Sequence, residues 1–312
     1  MSIIPFAYMS SKSIPLADTW VVSPTLNYSW NRVVYGGERF VAVGSDRKAM
    51  SSTDGINWTD STIPLYPLSG NQNYSVLAYG LDKFVAATGT GVERFAWSYD
   101  GITWNKVLNS WENVAWLSMT YGNGLFVALG SNAVGCVSSN GINWTQISLP
   151  QANSWRSVVY GNGVFVAVSS DGTNRVMTSS NGINWTLRNA AANNYWQSIA
   201  YGSGIFVAGS GESAFNQSAE RIMTSSDGIN WTMRSSLNPK SWGSLAFGDG
   251  LFVAMANPFG FDGIGYIITS TDGINWTPRN IPESNTWTGL TYGQNKFLAV
   301  ARTGVNRVMT AI

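Results

Sequence analysis

Histidine is absent from the 312 residues, and cysteine occurs once, as Cys136. A disulfide within one chain is therefore impossible, and zinc or copper centres of the usual His/Cys kind are excluded. A Ser-His-Asp triad is excluded with them, and no cofactor is expected. Charge is scarce too: Asp, Glu, Lys and Arg make up 11% of the chain, and 18 basic against 17 acidic residues leave a net charge of +1. Such a balance gives no electrostatic footprint for nucleic acid or for an anionic membrane. Long apolar runs are also missing. The opening Met1-Ser2-Ile3-Ile4-Pro5-Phe6 lacks a basic n-region, so the expectation is a protein made in the cytoplasm without a signal peptide or a membrane-spanning helix.

What the chain has in abundance is aromatic residues, 15 Trp and 13 Tyr among them, which suit strands and stacking surfaces. They recur in order. A Tyr-Gly step stands at Tyr35, Tyr79, Tyr121, Tyr160, Tyr201 and Tyr292, and as Phe247-Gly248, at intervals of 39 to 46 residues. Five residues before each lies a second aromatic: Trp30, Tyr74, Trp116, Trp155, Trp196, Trp242 and Trp287. Phe-Val-Ala or a near copy follows each step, from Phe40 to Phe297. A further signature, Ser-x-Asp/Asn-Gly-Ile-x-Trp, occurs six times, around Asp54, Asp100, Asn140, Asn181, Asp227 and Asp272.

The period matches a four-stranded propeller blade. One unit reads as strand A from Trp155, strand B from Val164, strand C from Arg175 and strand D from Ile183. Gly-Asn-Gly at A–B and Asp-Gly or Asn-Gly at C–D are residues that two-residue hairpin turns with positive φ demand. The fold class expected is all-β: a seven-bladed β-propeller of four-stranded blades. The seventh Asp/Asn-Gly copy is missing after Arg307-Val308-Met309-Thr310, while an orphan Asp18-Thr19-Trp20-Val21-Val22 precedes the first unit. The expectation is closure by this N-terminal strand, which completes the C-terminal blade and limits exposed edges. Residues 1–14 then form an arm and 15–312 a single domain, with 15–27 and 286–312 sharing the last blade.

A–B and C–D turns fall on one face of such a disc, and B–C and D–A connections on the other. Variation concentrates on the second face, from Gly44 to Lys48, Ser61 to Asn73, Thr88 to Arg94, Gly209 to Arg221 and Ala256 to Gly265. That face is the expected binding face. Two sets of residues begin strands there. The aromatics Trp30, Tyr74, Trp116, Trp155, Trp196, Trp242 and Trp287 read either as packing between blades or as a ring of stacking surfaces for sugars at the channel mouth. The cations Lys48, Arg94, Arg175, Arg221 and Arg307, with Tyr266 in the sixth blade, read either as bonded to neighbouring loops or as receptors for carboxylate or sulfate. Arg188, Arg234 and Arg279 read as solvent-facing charges on the outer edge. Asp54, Asp100, Asn140, Asn181, Asp227 and Asp272 read as turn caps through their side-chain oxygens, with no metal expected. The Asn-Trp-Thr triplets beginning at Asn57, Asn143, Asn184, Asn230 and Asn275 match a glycosylation sequon, and a buried structural position is the stronger reading.

The Ser-x-Asp-Gly-x-x-Trp signature resembles the Asp-box of sialidase-like and other bacterial propellers, with one residue fewer between Asp and Gly than is usual there. In those families the box is a structural corner away from the active site. The blades as a whole look like repeat proteins of bacteria and tailed phages, over residues 15 to 312. That resemblance implies a virion structural or host-attachment propeller that binds a cell-surface glycan or another virion protein, located in the virion, non-catalytic, and of no defined oligomeric state. A sialidase-type glycoside hydrolase is the first alternative. It would need convergent carboxylates, for which Asp46, Glu93, Glu112, Asp171, Glu212, Glu220, Asp262 and Glu283 are available on variable loops. Of the arginine pattern of sialidases only Arg32, after Trp30, is recognisable. An assembly-factor scaffold that holds a protein partner is the second alternative.

Overall fold

The computed structural model describes residues 17–25, 27–64, 72–89, 95–107, 114–211, 220–237, 240–256 and 265–311. Seven separate sheets of four antiparallel strands, each a simple meander, follow one another along the chain. Among the described residues the sole helical turn is a 3-10 turn at Ser45–Arg47, and no helix is long and apolar enough to cross a membrane. The innermost strands, such as Trp155–Gly161, pack against the innermost strands of the neighbouring blades. The ring closes as a seven-bladed propeller.

Closure uses the expected strand. Trp20–Ser23 is the outermost strand of the seventh blade and pairs antiparallel with Val308–Ala311, with Trp20 opposite Ala311. Trp20 is 6% exposed and lies in the core cluster with Trp287, Phe297 and Met309. Its indole N–H donates to the Ala17 carbonyl at 3.1 Å. Asp18 adds an ion pair to Arg279 of the sixth blade at 2.5 Å. The proposed arm, residues 1–14, lies outside the described residues.

The Tyr-Gly step has a physical cause between blades. A Cβ on Gly161 would lie 2.1 Å from Cγ of Tyr201, and the same approach links Gly36 to Tyr79, Gly80 to Tyr121, Gly122 to Tyr160, Gly202 to Phe247, Gly248 to Tyr292 and Gly293 to Tyr35. Each blade thus lays its ring on the bare backbone of the blade before it, and the last pair closes the circle. Only glycine leaves room for that approach.

The A–B turns are two-residue turns with two successive positive φ values, as at Asn162 (48°) and Gly163 (75°), which matches the twist of the flanking strands. The C–D connection differs from the expected two-residue turn. Only its glycine has positive φ, for instance 74° at Gly182, and strand D starts at Thr186 rather than Ile183. The reason is local: the Asn181 side-chain oxygen accepts from the backbone N–H of both Ile183 and Asn184 at 2.9 Å, so these amides cannot join the ladder. Ser179 Oγ accepts from Gly182 N–H, and the Trp185 indole donates to the Gly182 carbonyl. The capture of two amides recurs around Asp54, Asp100, Asn140, Asp227 and Asp272, and the indole bond recurs at Trp104, Trp144, Trp231 and Trp276 but not at Trp58. The sequon asparagines Asn57, Asn143, Asn184, Asn230 and Asn275 are exposed on these corners rather than buried. Asn57 donates its amide to Asp54, Asn230 to Asp227 and Asn275 to Asp272.

Candidate anion-binding site at the channel mouth

The two sets expected at the mouth have other work. Trp30, Tyr74, Trp116, Trp155, Trp196, Trp242 and Trp287 are at most 1% exposed. They fill the space between blades, as Trp116 does against Phe95 at 5.0 Å between ring centroids. No ring face is left for a sugar, which corrects the stacking reading of these seven residues. Trp155, Trp196 and Trp287 each donate their indole N–H to the carbonyl four residues earlier, which pins the D–A connection to the core.

The cations that begin strand C are engaged by backbone and by neighbouring side chains. Arg175 donates to the carbonyls of Ser170, Gly172, Asn193 and Asn194 and lies over the Tyr195 ring. Arg221 is 1% exposed and donates to Gly211 O at 2.7 Å. Arg307 donates to Gly304 O, and burial lowers its pKa. Lys48 sits over the Tyr28 ring and 3.4 Å from Asp60; desolvation is outweighed by these two partners, so its pKa is raised. Tyr266 carries Lys240 over its ring at 4.6 Å. Arg94 lies outside the described residues. As a set these residues tie loops together and present no shared receptor. Arg188, Arg234 and Arg279 are half-buried rather than solvent-facing, each donating Nε to a threonine hydroxyl on strand C (Thr178, Thr224 and Thr269).

The loop carboxylates are likewise committed locally. Burial pulls the Asp171 carboxyl up, but hydrogen bonds from Ser154 and Ser169 and the charge of Arg156 outweigh it and leave its pKa low. Glu283 accepts from the amides of Asn285 and Asn306. Asp46 is exposed at a backbone φ of 55°, and Glu220 lies just before strand C of the fifth blade. Glu93, Glu112, Glu212 and Asp262 lie outside the described residues. Among the described residues no group of His, Cys, Asp or Glu could hold a metal ion.

A different constellation occupies the axis. In all seven blades strand A carries a bulge directly after its buried aromatic, as between Trp155 and Ser157. The extra residue has no partner on strand B. This column reads Asn31, Ser75, Leu117, Arg156, Gln197, Gly243 and Thr288, and six of its members line a cavity of about 420 Å³ at the channel mouth. Asn31, the seventh, is buried and braces the wall, donating to Tyr74 O. Arg32, Arg156 and Arg302 converge on the same cavity, and among the described residues no carboxylate lines it.

These three arginines are held differently. Arg32 donates to the carbonyls of Thr288 and Asn31, bridging blades one and seven. Burial, then Arg302 and Arg156, push its pKa down to about 10. Arg302 donates Nε to Asn31 Oδ1 at 2.7 Å, and Arg156 donates Nε to Ser170 Oγ at 3.1 Å. None of the three has a carboxylate within ion-pair distance among the described residues. A second groove of about 320 Å³ shares Ser75, Gly89 and Arg302 with the mouth and continues past Asn31, Ser29, Ser45 and Asn73. Arg156 and Arg302 were not singled out by the repeat pattern. The signal for Arg156 was a non-repeating column inside the most regular strand; Arg302 stands just past strand B of the seventh blade, at the start of a B–C connection.

No family model matches the chain, and no curated protein matches it. Solved structures do resemble it. The chain is 9% identical to a catalytically inactive variant of virginiamycin B lyase from Staphylococcus aureus with quinupristin, with TM-score 0.77 over 94% of this chain and 98% of that one. It is 13% identical to YCF48 bound to a D1 peptide, with TM-score 0.71 over 94% of both chains. It is 16% identical to YCF48 from Cyanidioschyzon merolae, with TM-score 0.64 over 94% and 98%. At such identities the likeness carries the propeller fold alone.

Proposed function

We propose that the protein is a non-catalytic binding propeller that docks another protein on the face carrying the B–C and D–A connections. A virion structural or host-attachment component is the setting suggested by the resemblance of the blades to phage repeat proteins. The observation that carries the docking reading is the cationic mouth with its attached groove, on a face where the described loop carboxylates are not arranged as a pair. A glycan partner loses its main support because the seven aromatics offer no ring face. A peptide partner gains support from the similar propeller YCF48, whose structure holds a D1 peptide.

The test sets a peptide array, a glycan array and an activated sialoside against the purified protein. Saturable peptide binding with no sialoside turnover is the expected result. Glycan binding without peptide binding overturns protein docking, and turnover overturns the non-catalytic reading.

A further inference from the structure

We propose that the channel mouth is a carboxylate receptor, in which the forks of Arg156 and Arg302, beside the half-buried charge of Arg32, capture a carboxylate of a peptide lying in the adjoining groove. The inference rests on the protein-docking reading and names its anchor.

The geometry supports a receptor rather than a structural cluster. Arg156 and Arg302 are exposed, and each is fixed through Nε alone. Among the described residues their terminal nitrogens make no hydrogen bond. A guanidinium held at Nε presents its terminal N–H pair as a pre-oriented fork, the arrangement that matches a carboxylate in two parallel bonds. Like charges gathered in one cavity repel, and desolvation together with the charges of Arg302 and Arg156 lowers the Arg32 pKa. An anion that enters relieves that repulsion. The lining adds neutral donors, Gln197 and Ser75, and among the described residues no competing acid.

Shape points to a peptide. The mouth lies on the axis, and its side groove leads outward past Ser29 and Ser45. An extended chain can occupy that groove while one carboxylate projects into the mouth, a mode known for capture of chain ends. The cavity offers no ring face for a sugar: Trp116 lines it but is 1% exposed.

The experiment uses the whole protein and an octapeptide array synthesised in four forms: free C-terminus, C-terminal amide, and each of these with Glu and Asp replaced by Gln and Asn. Amidation that weakens the best binders by about tenfold or more identifies a chain-terminal carboxylate. The same loss on Gln or Asn replacement identifies a side-chain carboxylate, and either result supports the receptor. The protein variant Arg156→Gln/Arg302→Gln should lose the same factor for the forms that carry the identified carboxylate and leave the forms that lack it unchanged. Arg156→Lys/Arg302→Lys should recover only part of it, because it keeps charge without the fork. Unfolding midpoints of both variants establish that they are folded. Peptides that bind equally in all four forms, or equally to the double Gln variant, overturn the receptor while leaving docking intact. No peptide binding in any form overturns the docking reading itself.

Discussion

Gly293→Ala tests how the ring is held shut. The added methyl would lie 2.1 Å from Cγ of Tyr35, across the junction of the last and first blades. Carbon atoms rest at about 3.5–4.0 Å, so the ring or the strand must yield by more than an ångström. Tyr35 has little freedom to do so, because its ring is backed by Phe40 at 4.8 Å between centroids. Overpacking of this kind costs about 1–3 kcal/mol. Gly293 is not in the left-handed region, so no backbone strain adds to the cost. Urea unfolding of the single variant should show a lower midpoint with an unchanged slope. The decisive comparison is the Tyr35→Ala background, where the methyl enters emptied space. There the substitution should be neutral or slightly stabilising, giving a coupling of about 1 kcal/mol or more. Equal cost in both backgrounds would refute the ring-on-glycine account.

Two further outcomes follow from the latch and the corners. Trp20→Ala removes a ring that is 6% exposed and should cost about 3–5 kcal/mol; hydrogen exchange should speed up first in Val308–Ala311, and unchanged protection there would separate closure from Trp20. Asp54, Asp227 and Asp272 have carboxyl pKa values well below the usual range. For Asp54 and Asp227 the largest causes are the backbone N–H groups of Asn57 and Asn230; for Asp272 burial opposes the shift but Asn275 and Ile274 outweigh it. A folded pKa below the unfolded value contributes stability that is present above about pH 4 and is lost as pH falls through the folded value. Urea midpoints should therefore decline below about pH 4, and Asp54→Asn/Asp227→Asn/Asp272→Asn, which copies the residue type of Asn140 and Asn181, should flatten that decline.

Much of the architecture was legible because the chain writes it seven times. A repeated Tyr-Gly step reports a contact that every blade must make, and the missing corner after Thr310 reports where the circle is cut. The turn at Asn181 was read one class too simple, since its side chain captures two amides that a two-residue turn would leave to the ladder. The strand-C cations looked like a receptor because they recur at one register. Recurrence marked them instead as structural: Arg175, Arg221 and Arg307 each donate to a backbone carbonyl of their own B–C connection. The arginines of the mouth escaped notice for the opposite reason. Arg156 lies on strand A of the fourth blade and Arg302 just past strand B of the seventh, and only the ring brings them together. The bulge that turns Arg156 toward the axis leaves no mark in strand periodicity.

The cut in the circle falls inside a sheet, between two strands that pair as Trp20 with Ala311. Nearly three hundred residues of synthesis separate these partners. Trp20–Ser23 therefore leaves the ribosome long before anything exists for it to bond to. Until Val308–Ala311 follows, the seventh blade holds only its two inner strands, already laid on Tyr35 of the first blade through Gly293. The final four-residue strand gives Trp20–Ser23 its only sheet partner, so its loss would leave the seventh blade a two-stranded hairpin with a bare edge.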